Sequence, residues 1–364
     1  MEKQTLKKLI AEKKLILVCG SGGVGKTTTA ASIALHAATM GRKVIVLTID
    51  PARRLATSLG LEKLDNKARK IDPKIPLWAM MLDTKSTFDQ LVFKYAPTEE
   101  ARKKILNNKI YRHLSSMIAG SQEYMAMEKL YEFVQENRYD LIVIDTPPTT
   151  HAIDFLNAPK KMVDALGHSM IHLLLKPALL MGKKGLKLFE KGSQMILKIF
   201  DRITGFAFLQ DISEMLISFQ SLLGGFQSRA EEVQRILSDA NTSFLLVAAC
   251  EQKSIEETSL FVKTLKELNL PLGGIFLNRV HPYYEKSASE IKKDQEILGE
   301  LVGEELAEKM KNWFERFEII AKRDLEFKKT ISDEAESSVP VIPLPLFDSD
   351  IHDLEGLHRL GEYF

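Results

Sequence analysis

Three short stretches put chemistry-bearing residues at the ends of apolar runs. The first is Gly20-Ser21-Gly22-Gly23-Val24-Gly25-Lys26-Thr27, which spells G-x-x-x-x-G-K-[ST]. The run Lys14 to Cys19 precedes it as a buried strand, and Thr28 to Leu35 opens a helix after it. Glycines let backbone N–H groups close around a phosphate without Cβ clashes. The helix N-terminus adds unpaired donors and a favourable dipole. In such a loop, residues Ser21, Gly22, Gly23, Val24, Gly25, Lys26, Thr27 and Thr28 surround the phosphates. Lys26 meets the β- and γ-phosphates, and Thr27 holds Mg²⁺ through its hydroxyl.

The second is Asp145, which ends the run Leu141-Ile142-Val143-Ile144. An acid there, downstream of a phosphate loop, is the Walker B arrangement and orients Mg²⁺-bound water. The third is Asp50, which follows the strand-like run Lys43 to Ile49. An Asp beside the phosphate loop positions or deprotonates the water that attacks the γ-phosphate. The alternative is an Asp50-Pro51 turn without chemistry.

These residues need a scaffold that brings several strand ends to one edge. Open parallel α/β sheets do this at their C-terminal edge. Strand signals recur at Leu77 to Leu82, Asp140 to Asp145, Phe244 to Cys250 and Gly274 to Asn278. Helical patterns lie between them: Thr5 to Lys13, residues 84 to 137 with Ser121 capping Glu123 to Glu136, Ile255 to Leu268, and residues 288 to 330. Residues 61 to 76 read as loop because of their charge and Pro73 and Pro76. Val339 to Pro345 reads as a late edge strand, since its prolines cannot sit mid-sheet. The fold class expected is an α/β P-loop NTPase with a mostly parallel sheet and a helical insertion.

The insertion is residues 160–240, rich in Leu, Phe and Met and without a strand signal. It divides the chain into an ATPase core of residues 1–159 (with a helical segment at 97–137), the insertion, and the core's second part at 241–364. Its apolar side chains either pack a core of their own or offer an adaptable surface to apolar partners. Lys176, Lys183, Lys184, Lys187, Lys191 and Lys198 face one acid, Glu190, between residues 172 and 200. They suit an anionic bilayer or a charged flank, or else a solvated helix face with snorkelling stems.

Bulk composition narrows the classes. The 364 residues carry a net charge of +1, which argues against a global field for nucleic acid. Cys19 and Cys250 both lie in apolar runs, so burial is their expected role and a zinc or redox pair has no support. The first residues lack an apolar signal core, and no stretch has the length to span a bilayer without charge. A cytoplasmic protein is expected.

The motifs together resemble the ArsA and guided-entry (tail-anchored protein targeting) ATPase family, most closely its bacterial single-unit members. The loop Gly20 to Thr28 is similar to that family's deviant Walker A, Asp50-Pro51-Ala52 to its switch I, and Asp145-Thr146-Pro147-Pro148-Thr149-Thr150-His151 to its switch II pattern, D-T-x-P-T-G-H. Ile255-Glu256-Glu257-Thr258 resembles the helix after its Cys250 strand. The resemblance implies ATP and Mg²⁺ as ligands, Asp50 and Lys26 as catalytic residues, Thr27 and Asp145 at the metal, and Asn278 reading adenine, with backbone near Pro343 to Phe347 closing over the base. It also implies a homodimer or heterodimer that moves its helical subdomains as nucleotide turns over, with a hydrophobic helical client.

Three features depart from the pattern. Ser21 stands where the family has a signature lysine, so another cation substitutes, or turnover is slow, or the partner subunit supplies the charge. Arg53 and Arg54 are the nearest candidates, or are merely solvated. No C-x-x-C is present, and a single phosphate loop with two separated cysteines gives arsenite pumping little support. His151 either couples nucleotide state to the insertion or is structural, and Thr150 replaces a glycine. Two readings follow: an ATPase that targets or chaperones hydrophobic segments, and a weakly hydrolysing nucleotide switch or scaffold at a membrane or in a heteromeric complex. Iron–sulfur reductase, DNA-positioning and membrane-tail readings lack their cysteines, basic surface and basic amphipathic end, respectively.

Overall fold

The strand that carries the phosphate loop sits near the middle of an eight-stranded sheet. The computed structural model describes residues 2–50, 54–96, 98–108, 111, 121–147, 225 and 228–364. In chain order the elements are α1 (Glu2–Glu12), β1 (Leu15–Gly20), α2 (Lys26–Thr39), β2 (Val44–Thr48), α3 (Arg54–Ser58), β3 (Arg69–Asp72), β4 (Ile75–Met81), α4 (Thr84–Tyr95), α5 (Glu99–Asn107), α6 (Ser121–Glu136) and β5 (Leu141–Asp145). A helix α7 at residues 228–238 follows. Then come β6 (Thr242–Ala249), α8 (Gln252–Glu267), β7 (Leu272–Val280), α9 (Ala288–Val302), α10 (Glu304–Glu334), β8 (Val341–Pro345) and α11 (Leu354–Gly361).

The sheet order is β3-β4-β2-β5-β1-β6-β7-β8, parallel except for the β3–β4 hairpin. Central strands β1, β2, β5 and β6 are buried at every position. Continuous apolar runs are what a parallel strand covered on both faces requires. Alternation sorts their side chains. Leu15, Leu17 and Cys19 face one way, onto Phe88 and Leu91 of α4, Met125 and Leu130 of α6, and Phe261 of α8. Ile16 and Val18 face the other, onto Leu6 and Ile10 of α1 and the alanine-rich face of α2. Each such Leu or Ile contributes roughly 1.5–3 kcal/mol by leaving water.

Several boundaries differ from the sequence reading. Residues 61–76 are not all loop: Arg69–Asp72 form β3, and β4 begins at Ile75 and ends at Met81 rather than running from Leu77 to Leu82. Arg69 and Lys70 of β3 are charged and exposed, which an edge tolerates. Ser121 lies within α6 instead of capping a helix from Glu123. The charged helix of residues 288–330 is two helices broken at Gly303, whose φ of +86° suits glycine. Helix α11 was not anticipated; Asp353 caps it, and Leu357 and Leu360 bury against the α2 side of the sheet. β8 is the edge strand its prolines indicate.

Of the insertion, residues 160–224 lie outside the described residues. Its far end, α7, is tied to the core by a buried ion pair. Arg229 Nε donates to both carboxylate oxygens of Glu128 on α6, at 2.9 and 2.7 Å, and the guanidinium lies 4.1 Å from the centre of the Tyr95 ring on α4.

Candidate active site

Helix α2 begins at Lys26, directly after Gly25 at φ +97°. An L-residue adopts that backbone only with strain, and a Cβ there would stand 2.4 Å from Asn278 Nδ2. Asn278 lies on β7, and its Nδ2 donates to the Val24 carbonyl at 2.8 Å. The phosphate loop is thereby fastened to a strand on the far side of β6.

Lys26 is buried, and its Nζ donates to the Ser21 carbonyl at 2.7 Å. Burial lowers its pKa, with the Asp145 carboxylate opposing. Thr27 Oγ1 donates to Asp145 Oδ2 at 2.8 Å. Thr48 Oγ1 donates to the same oxygen at 2.8 Å. Asp145 is fully buried, and burial pushes its pKa up to about 6 against the pull of those two hydroxyls. Its other oxygen, Oδ1, is buried with no hydrogen-bond partner among the described residues. A buried carboxylate oxygen without a donor is costly, so it marks a place for a cation or an ordered water.

Asp50 follows β2, its N–H donating to Thr48 Oγ1 at 3.2 Å, and Arg54 Nη1 lies 3.9 Å from its Oδ2. A cavity of about 590 Å³ opens over these strand ends. Gly22, Lys26, Thr27, Asp50 and Asn278 line it, with Phe347 after β8. Ser21 and Val24 do not line it; both are buried. Pro51 to Arg53 and Pro148 to His151 lie outside the described residues.

The profile of the ArsA ATPase family, described as anion-transporting ATPase, matches residues 13–326. The chain belongs to this family. It is 27% identical to ATPase get3 of Aspergillus terreus over 323 residues, 87% of each chain. It is 26% identical to the ATPase ASNA1 homolog of Plasmodium vivax over 368 residues, covering 98% of this chain and 90% of that one.

The site residues fit the ligands an ATPase of this family requires. The orphaned Asp145 Oδ1 and the Thr27 hydroxyl are hard oxygen donors of the kind Mg²⁺ takes. The loop's lysine and the helix start suit phosphate oxygens. Thr48 was not singled out from the sequence. Its signal was there, in a hydroxyl ending the strand next to the one that ends in Asp145. Cys19 and Cys250 are buried as expected, and burial pushes both thiols up to about 12, too high for a nucleophile at neutral pH. Among the described residues no helix is long and apolar enough to cross a membrane.

Proposed function

We propose that this chain binds Mg-ATP over the ends of β1, β2 and β5 and hydrolyses it at the β–γ bond. The observation that carries this reading is the Asp145 carboxylate, held by Thr27 and Thr48 beside Lys26, with one oxygen unpartnered among the described residues. In this reading Lys26 balances charge on the β- and γ-phosphates, and Thr27 and Asp145 hold Mg²⁺. The metal, when bound, neutralises charge on the phosphate oxygens. Asp50 orients the attacking water and accepts its proton. Asn278 reads adenine, and Phe347 borders the base.

Family membership supports the further reading that two such subunits work together as a cytoplasmic dimer, identical or with a related ATPase. Nucleotide state is then coupled to movement of residues 160–240, and that segment captures a hydrophobic helical client. The Leu, Met and Phe content of the insertion supports this over a metalloid role.

Steady-state ATP hydrolysis by the pure protein, run beside Asp50→Asn, tests the enzymatic reading. Turnover that Asp50→Asn abolishes, with ATP affinity retained, is the expected result. Tight ATP binding with no turnover above the Asp50→Asn rate would overturn it in favour of a nucleotide switch.

A further inference from the structure

We infer that the Arg54 guanidinium is a catalytic group of this site, a cation of the same chain that binds the terminal phosphate oxygens of the nucleotide and stabilises the charge that grows there during transfer to water. The inference rests on the nucleotide reading above.

Topology places Arg54 at the γ-phosphate end. The phosphate loop leaves β1, and the sheet continues through β5 to β2 on one side and through β6 to β7 and β8 on the other. Asn278 and Phe347 belong to the β7–β8 side. Asp145, Thr48, Asp50 and Arg54 belong to the β5–β2 side, where Thr27 also points. A triphosphate that extends from a base on the first side across the loop ends on the second.

Charge is the next argument. Phosphoryl transfer has little covalent chemistry for the protein to do, and depends on positioning and on neutralising the equatorial oxygens. Among the described residues lining the cavity, the lysines and arginines are Lys26, Arg54 and Arg279. Arg279 follows Asn278 on the base side. Lys26 and Arg54 are left for the terminal phosphate, and Ser21 adds only a buried hydroxyl and a carbonyl already taken by Lys26.

Arg54 is also free to move. Its side chain is 65% exposed, and its contact with Asp50 is long, at 3.9 Å. An exposed pair of that length is weak, and a phosphate dianion competes for the guanidinium with better, bidentate geometry. In the reaction the water oxygen bonds to the γ-phosphorus, and the bond to the β-bridging oxygen breaks with its electron pair leaving on ADP. The water proton passes to the Asp50 carboxylate. Arg54 neutralises the phosphoryl oxygens throughout.

The test compares wild type, Arg54→Ala and Arg54→Lys by calorimetric binding of ADP and of the non-hydrolysable analogue AMP-PNP, with hydrolysis rates alongside. Arg54→Ala is expected to bind ADP as wild type does, bind AMP-PNP at least 10-fold more weakly, and lose 100-fold or more in kcat. Arg54→Lys is expected to recover part of the AMP-PNP affinity. Equal loss for both nucleotides, or no loss for either, would overturn the assignment of Arg54 while leaving the nucleotide site in place. Wild type that binds neither nucleotide would overturn both readings. Should wild type bind without turning over, the two affinities still decide the role of Arg54.

Discussion

Thr48 and Asp145 end neighbouring parallel strands in direct register, and the threonine hydroxyl donates to Asp145 Oδ2 at 2.8 Å. Thr27 donates to that same oxygen from the start of α2. One carboxylate oxygen is therefore doubly satisfied by the fold, and the other is buried with no hydrogen-bond partner among the described residues. The arrangement sacrifices stability in the empty protein to keep a charged oxygen ready for a cation.

That cost has a pH dependence with a definite sign. Burial raises the Asp145 pKa from 3.8 to about 6. Between those values the native state holds a proton that the unfolded chain has released, so stability falls as pH rises from 4 to 6. The shift corresponds to roughly 3 kcal/mol. In Asp145→Asn the two hydroxyls keep an acceptor and the charge is gone. Urea unfolding without nucleotide should find this variant more stable than wild type at pH 7, with the difference vanishing near pH 4. Magnesium should then stabilise wild type at pH 7 and leave the variant unmoved. A wild type whose stability rises between pH 4 and 6 relative to the variant would contradict the assignment.

Gly25 and Asn278 form a second coupled pair. Alanine at 25 suffers strain at φ +97°, about 1–2 kcal/mol, and pushes the Asn278 amide off the Val24 carbonyl, about 1 kcal/mol more. In an Asn278→Ala background only the strain remains. A double-mutant cycle on unfolding free energy should therefore show a coupling of about 1 kcal/mol between the two positions. Strict additivity would show that the asparagine does not brace the loop.

The Glu128–Arg229 pair predicts a third result. Both side chains are almost fully buried, and the carboxylate also accepts from the Tyr124 hydroxyl. Removing one partner breaks a buried ion pair, which costs about 3–5 kcal/mol. Glu128→Ala should lower stability by that amount, and Glu128→Gln combined with Arg229→Met should lower it by much less. Equal losses in the single and double variants would mean that the pair is not the tie between α6 and α7.

How far the sequence revealed this molecule depends on the range of the interaction. The phosphate loop, Asp50, Asp145 and the four central strands were legible because they are local: a motif, or an apolar run with an acid at its end. Asn278 was reached through family resemblance, and the structure brings it to the loop by a contact 254 positions long. Strand β3 escaped because Arg69, Lys70 and Asp72 carry the charges of a loop, and only antiparallel pairing with β4 makes them a strand. Helix α11 escaped because it is short and carries glycines at 356 and 361; its stability comes from burying Leu357 and Leu360 on the α2 side. Arg229 and Glu128 are 101 positions apart, and no local pattern links them.

Asp324 gives the last prediction. It is fully buried on α10. Its Oδ2 accepts from the His281 backbone N–H at 3.0 Å and meets His281 Nδ1 at 2.8 Å, while Arg323 Nη2 reaches its other oxygen at 3.4 Å. Arg323 Nη2 also reaches the Cys250 carbonyl at 3.5 Å. Asp324 and Arg323 together thus fasten the long helix to the ends of β6 and β7, next to Asn278 and Arg279. Asp324→Ala leaves the His281 N–H without its acceptor and frees α10 from the sheet edge, whereas His281→Ala removes only the ring contact. Hydrogen exchange followed by mass spectrometry should therefore show faster exchange at residues 281–287 and along α10 in Asp324→Ala, a smaller change in His281→Ala, and unchanged protection in β1 and β2. Local unfolding of this kind precedes global loss of structure. Exchange raised equally in every strand would mean that Asp324 supports the whole core instead of anchoring one helix.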